Sequence, residues 1–115
     1  MNVKRQSITV EELLRRYAAG ERTFVGIEFS YSDKGLRGCN LSGINLSGSQ
    51  IEVYMADINL SGADLSGANF SNTIFDRVDF YGANLTGANL DGVEFRRVSF
   101  QNTIMPDGSI GDESC

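Results

Sequence analysis

At 115 residues, with a formal net charge of −5, 13 glycines, one proline and no tryptophan, the chain has room for one core and reaches its apolar fraction of 41% in a skewed way. The acidity argues against direct nucleic-acid binding, which draws on a basic excess to displace counterions from phosphate; residues 1 to 19 carry +2, residues 20 to 105 carry −4 and residues 106 to 115 carry −3. The absence of histidine removes the commonest general base and metal ligand, and Cys39 and Cys115 match no metal or redox spacing, so neither an enzyme nor a cofactor or metal site is expected.

Residues 1 to 19 form the first segment. Lys4 and Arg5 are followed by no apolar run long enough for a signal sequence or a membrane span, which reads as a cytoplasmic protein that does not engage membranes. Within this segment the spacing predicts a helix over about 9–19. Thr9 and Glu12 fit a capping box, Val10, Leu13, Leu14, Tyr17 and Ala18 share one face, and Gly20 stops the run. The apolar stripe is short and its polar side is of mixed charge, so it reads as a lid over an apolar end.

From residue 20 to 105 a five-residue rhythm takes over. Bulky apolar residues recur at Met55, Leu60, Leu65, Phe70, Phe75, Phe80, Leu85, Leu90, Phe95, Phe100 and Met105, and an earlier run in shifted phase gives Leu36, Leu41, Leu46 and Ile51. Two residues before each of these centres lies a small or β-branched slot, among them Ala63, Ala68, Thr73, Val78, Thr103 and, in the earlier run, Cys39. A period of five suits neither a helix nor a straight strand, because each would carry successive centres onto different faces. The chain must turn a corner in every unit.

The slot three before the centre supplies the corner. Glycine dominates it, with Asp57, Asn72, Arg77, Arg97 and Asn102 where glycine is missing; Asn and Asp tolerate left-handed backbone next best, so a different turn is expected at the two arginines. A longer period lies on top, since residues 61–80 match residues 81–100 at ten of twenty positions. Four units therefore make one coil, one unit to each side of a square, and stacked coils repeat at about 4.8 Å, the strand spacing.

The units ADLSG, ANFSN, ANLTG and ANLDG resemble the pentapeptide-repeat family. That resemblance implies an all-β solenoid: a right-handed quadrilateral parallel β-helix of about four coils over 20–105, with the helix of the first segment as its N-terminal cap. It also implies that end-to-end dimers are open to the chain, which is expected to be a monomer or a weak end-to-end homodimer.

Two interruptions stand out. Phe29 and Leu36 are seven apart, so residues 30–35 should bulge as a loop, and Ile51 and Met55 are four apart, so residues 52–55 should distort a corner and push Tyr54 outward. After Met105 the single proline, Pro106, ends the array, and residues 106–115 read as a polar C-terminal tail with Cys115 as its last residue.

No catalytic constellation is visible. Asp64, Asn69, Asp79, Asn84 and Asn89 form an outward polar row that the repeat itself generates. Arg77 and Arg97 should stack in one column above Asp57, their repulsion offset by Asp76 and Glu94 or by an anionic partner. The expected function is a non-enzymatic binding or scaffold module that presents a rigid polar surface to a protein partner of unknown identity, with Tyr31, Tyr54, Tyr81, Arg77 and Arg97 as the candidate surface. The alternative implied by the resemblance is a DNA mimic that binds a type II topoisomerase such as gyrase. Charge opposes it: four coils span about 20 Å, over which duplex DNA carries about twelve charges, against −4 here.

Overall fold

Each five-residue unit has five backbone N–H groups to satisfy, and the fold follows from where they go. In the computed structural model, which describes residues 6–29 and 35–111, the unit 64–68 shows the scheme. Asp64 donates to Ile44 O of the coil below at 2.9 Å, Leu65 and Gly67 donate to Asn84 O and Thr86 O of the coil above at 2.8 Å, and Ala68 turns back to Leu65 O at 3.1 Å. The remaining amide, Ser66 N–H, donates to Asp64 Oδ1 at 3.1 Å. Repeated along the chain, this pattern builds a parallel β-solenoid of about four turns with one unit per side.

The elements run β1 (Gln6–Ile8), α1 (Val10–Ala18), β2 (Ile27–Phe29), β3 (Leu36–Arg37), β4 (Met55–Asn59), β5 (Ile74–Asp79), β6 (Glu94–Arg96), β7 (Thr103–Ile104) and β8 (Ile110–Gly111). Side 1 is the parallel sheet β3-β4-β5-β6, with Leu36, Met55, Phe75 and Phe95 stacked as its centres. Isolated parallel bridges define the rest: Asn40, Asn59, Asp79 and Ser99 on side 2, Thr23, Asn45, Asp64, Asn84 and Ile104 on side 3, and Glu28, Gln50, Asn69 and Asn89 on side 4. Leu41, Leu46, Ile51, Met55, Leu60, Leu65, Phe70, Phe75, Phe80, Leu85 and Phe100 are buried. Leu90, Phe95 and Met105, all in the last coil, are only partly buried.

At the N-terminal end, α1 lies on the first coil with Val10 and Leu13 buried, Leu14 and Tyr17 packed against the core, and Ala18 exposed. Tyr17 OH donates to Ser42 O at 2.7 Å, which ties the helix to the coil. Only half of the capping box forms. Glu12 N–H donates to Thr9 Oγ1 at 3.0 Å, but the Glu12 carboxylate takes Arg15 Nε at 2.9 Å instead of reaching back to Thr9. The helix ends in a Schellman turn, with Gly20 at φ +103 donating to Tyr17 O and Glu21 donating to Arg16 O. The guanidinium of Arg16 lies over the Phe24 ring at 5.1 Å and that of Arg22 over the Tyr17 ring at 3.7 Å. Before the helix, β1 pairs with β2 in parallel, Ser7 opposite Glu28, so the solenoid starts inside the N-terminal segment and side 4 gains a rung that carries no five-residue signature.

The C-terminal end is built differently. Residues 106–109 form a turn that brings β8 antiparallel to β7, with Ile104 opposite Ile110 and Met105 N–H on Ser109 O at 2.7 Å. Up to Gly111 the polar segment is therefore a hairpin that folds back over the end; its Asp107–Gly108 pair supplies the turn. Cys115 lies outside the described residues.

Candidate functional site

Sides 2 to 4 consume their polar surface internally. Side-chain oxygens of Asn40, Asn45, Asn59, Asp64, Asn69, Asp79, Asn84 and Asn89 each accept the backbone N–H two residues on, at 2.9–3.1 Å. The outward polar row is thus a set of Asx turns that satisfies the one amide per unit the coils leave over. Side 1 lacks them. The slot before its centres holds Gly35, Tyr54, Ile74 and Glu94, and its backbone runs as continuous strands.

Both interruptions meet at one corner, where side 4 turns into side 1. Rungs Thr23 to Asn45 and Glu28 to Gln50 are 22 residues apart, Asn45 to Asp64 and Gln50 to Asn69 are 19 apart, and later rungs are 20 apart. The long spacer before Leu36 therefore adds two residues to one coil, and the short unit before Met55 removes one from the next. Leu36 N–H donates to Tyr54 O at 2.8 Å, which seats one break directly on the other. Gly35, at φ +64, has no room for a side chain, because a Cβ would collide with the Tyr54 carbonyl oxygen. Residues 30–34, including Tyr31, lie outside the described residues.

Interior hydroxyls repair the bonds that the irregular coils lose. The unit after Ile51 is one residue short and cannot close its turn; Ile51 O instead accepts Thr73 Oγ1 at 3.1 Å, from the coil above at the same corner. Ser49 Oγ is inserted into the turn after Phe24, accepting Ile27 N–H and donating to Phe24 O, both at 3.1 Å. Thr103 Oγ1 repairs nothing: it donates to Phe80 O at 2.7 Å in a regular coil, beside the Ala83 N–H that already closes that turn at 2.9 Å. Thr73→Val keeps the shape of this buried side chain and removes the donor, so it is expected to lower stability by about 1–3 kcal/mol. Urea unfolding checks this, and a midpoint equal to that of the wild type would show that Ile51 O finds another donor.

The arginine column departs from expectation. Arg77 and Arg97 adopt the same left-handed backbone as Asp57, with φ of 55, 52 and 57, and not a different turn. Strand pairing on either side of the corner closes the coil and overrides a local preference of about 1–2 kcal/mol. Ion pairs compensate: Arg77 Nε lies 2.7 Å from Asp57 Oδ1, and Arg97 Nη2 donates to Asp76 Oδ1 and Oδ2 at 2.7 and 3.0 Å. Arg96 pairs with Glu94. The charges are thus matched carboxylate to guanidinium, so the column is not a bare basic stripe.

These two corners offer an internal control. The Arg77–Asp57 pair is half exposed on both sides, whereas the Asp76 side chain is only 10% exposed. Arg77→Gly relieves backbone strain and loses an exposed pair worth about 0–1 kcal/mol, so its stability is expected to stay within about 1 kcal/mol of the wild type. Arg97→Gly also strips a buried carboxylate of its partner and is expected to be less stable than Arg77→Gly by about 1–3 kcal/mol. Equal denaturation midpoints for the two variants would disprove the role given to Asp76.

Side 1 gathers most of the candidate residues. Tyr54 is half-buried with the Arg37 guanidinium 4.8 Å above its ring, and Arg77 and Arg97 line the next corner. Tyr81 does not join them. It lies at the corner between sides 2 and 3, exposed, with Asn102 Nδ2 donating to its hydroxyl at 3.2 Å. Arg37 and Ile74 complete the side 1 surface; sequence reading passed over both, although the missing Asn or Asp in the slot before each side 1 centre marks that side out. Cys39 is half-buried, its thiol pushed up by burial. Among the described residues no group of three or more His, Cys, Asp or Glu is placed to hold a metal ion, and no helix is long and apolar enough to cross a membrane.

The family model for pentapeptide repeats matches residues 54–92 and 79–107, with eight copies. Among solved structures, the chain is similar to the pentapeptide-repeat protein Rfr23 from the cyanobacterium Cyanothece 51142, at 20% identity and a TM-score of 0.62 over 82% of this chain and 84% of that one. It is also similar to alr5209, a pentapeptide-repeat protein from Nostoc PCC 7120, at 27% identity and a TM-score of 0.49 over 88% and 84% of the two chains. Among curated proteins none matches.

Proposed function

Because the chain is built of pentapeptide repeats, we propose that it is a non-catalytic scaffold that binds a protein partner through side 1 and its two corners. One observation carries this reading: the two interruptions, Tyr54 and Ile74, and the Arg77–Asp57, Arg97–Asp76 and Arg96–Glu94 pairs fall on that side and its corners, while sides 2 to 4 spend their outward Asn and Asp on their own backbone. A flat parallel sheet with an aromatic and an aliphatic side chain at its middle, rimmed by oriented guanidinium–carboxylate pairs, is suited to a partner of mixed charge. Exposed loops and irregular segments carry binding residues more often than regular walls.

Photo-crosslinking residues placed at positions 54 and 74 on side 1, and at 66 and 69 on sides 3 and 4, test the assignment in the cell of origin. A discrete protein adduct is expected from side 1 alone; adducts of equal yield from all four positions, or from none, would sink it. The DNA-mimic reading gains no support from these faces, whose charges are largely paired within the chain. A supercoiling assay with gyrase checks it, and no inhibition is expected at micromolar protein.

A further inference from the structure

Two of the chain's serines follow a pair of basic residues, with one residue between, and precede a large apolar one: Lys4–Arg5–Gln6–Ser7–Ile8 and Arg96–Arg97–Val98–Ser99–Phe100. No other serine and no threonine has this setting. Although far apart in sequence, the two hydroxyls take equivalent places in the fold. Ser7 is in β1, the first rung of side 4, whose sheet holds β1 and β2 alone. Ser99 is in the last described rung of side 2, bridged to Asp79 and to no other described residue. Each rung is thus paired along one edge only. Ser7 is exposed and Ser99 half-buried. The Ser99 rung is also held by long bonds: its N–H reaches Val78 O at 3.4 Å and its carbonyl takes Phe80 N–H at 3.2 Å, where Asn84 on side 3 makes the same two bonds at 2.9 and 2.8 Å. Rungs of this kind open at lower cost than the coils between them.

We propose that Ser7 and Ser99 are phosphorylated by a serine kinase with an acidic substrate groove, and that the phosphates loosen the two ends of the solenoid. Cationic side chains two and three residues before a hydroxyl pair with the carboxylates of such a groove, and this charge pattern selects the serine. The side chains of Arg96 and Arg97 are more than half exposed, so their ion pairs with Glu94 and Asp76 can be exchanged for those of the kinase. In the transfer, the serine Oγ attacks the γ-phosphorus of ATP and the bond to the β-phosphate oxygen breaks. ADP leaves, and the hydroxyl proton passes to the base of the kinase. Parallel pairing sets Ser7 opposite Glu28 and Ser99 opposite Asp79. Each phosphate therefore arrives one strand spacing, about 4.8 Å, from a carboxylate. Like charges at that distance repel and disrupt the pairing, while the middle coils carry no such site and stay as they are.

The catalytic subunit of cyclic-AMP-dependent protein kinase, with magnesium and ATP, serves as an arginine-directed probe. Tandem mass spectrometry of the folded wild type is expected to find phosphate at Ser7 and Ser99 and at no other residue. Arg96→Gln combined with Arg97→Gln is expected to slow labelling of Ser99 at least tenfold and to leave Ser7 unaffected. Any loosening of the fold by these changes would speed labelling, so a fall reports recognition and not misfolding. The phosphorylated protein is expected to melt at a lower temperature than the unmodified one. That difference should shrink in about 1 M salt, where the Debye length is about 3 Å. It should also shrink when Glu28→Gln and Asp79→Asn are combined, a change that keeps the side-chain oxygen Tyr81 N–H donates to. A folded chain that stays unlabelled while peptides of residues 2–10 and 94–102 are labelled, label at other serines, or an unchanged rate in the double arginine variant would overturn the sites. Equal melting temperatures for the two forms would overturn the loosening.

Discussion

Phe75→Ala is expected to lower stability by about 3–5 kcal/mol, a large share of what a domain of this size has. Phe75 is fully buried at the centre of side 1. Its ring meets Phe70 and Phe80 edge-on at 5.3 Å and stacks on Phe95 at 5.6 Å. Each such contact is worth about 0.5–1.5 kcal/mol beyond burial, and the surrounding coil cannot collapse into the hole because its backbone is tied to the rungs above and below. Since each coil of a solenoid is stabilised by its neighbours, the damage is expected to spread along the axis. Hydrogen exchange reads this directly: amides of the adjacent coils, such as those of Met55 and its neighbours, should lose protection together. A loss below about 1 kcal/mol, or protection lost only beside residue 75, would show that the aromatic column is not the joint between coils.

The second large effect is expected at the N-terminal end of the solenoid, where α1 lies on the first coil. If the helix were a ligand-binding appendage its apolar face would be open, yet Leu13 is completely buried and Val10 nearly so. Leu13→Ala should therefore cost about 2–5 kcal/mol and unseat the helix from the first coil, exposing Phe24 and Ile27 beneath it. Far-UV circular dichroism and thermal unfolding follow both events. Aggregation at lower temperature is expected as well, because loss of a cap leaves the end of a solenoid unprotected. A variant as stable and as soluble as the wild type would mean that the coils close themselves without the helix.

Much of the architecture is legible in the chain because a repeat of five returns the same residue type to the same column. Phe75 and Phe95, or Asn69 and Asn89, can be placed one above the other by counting. The two interruptions are legible too, as a spacing of seven before Leu36 and of four before Met55, and they reappear as rungs of 22 and 19 residues. That they sit on each other is a fact of stacking: it needs the register between coils, and with it come the close approach of Gly35 to Tyr54 O and the rescue of Ile51 O by Thr73. β1 was hidden because a three-residue strand ahead of a helix has no period, and Ile8 is its one buried residue.

The sequence by itself determined the five-residue unit, the centres Leu41 to Met105 and the capping helix, because these rest on local chemistry and on periodic burial that any single coil already displays. It also determined that the outward Asn and Asp belong to the repeat. The tertiary structure alone decided the backbone of Arg77 and Arg97. Their intrinsic preference opposes a left-handed φ, but the strands flanking the corner are held by the coils above and below, and Asp57 and Asp76 supply partners that become neighbours only when successive coils stack. It likewise decided the stepped C-terminal end, where the last rung of side 1 is left open while the hairpin closes side 3.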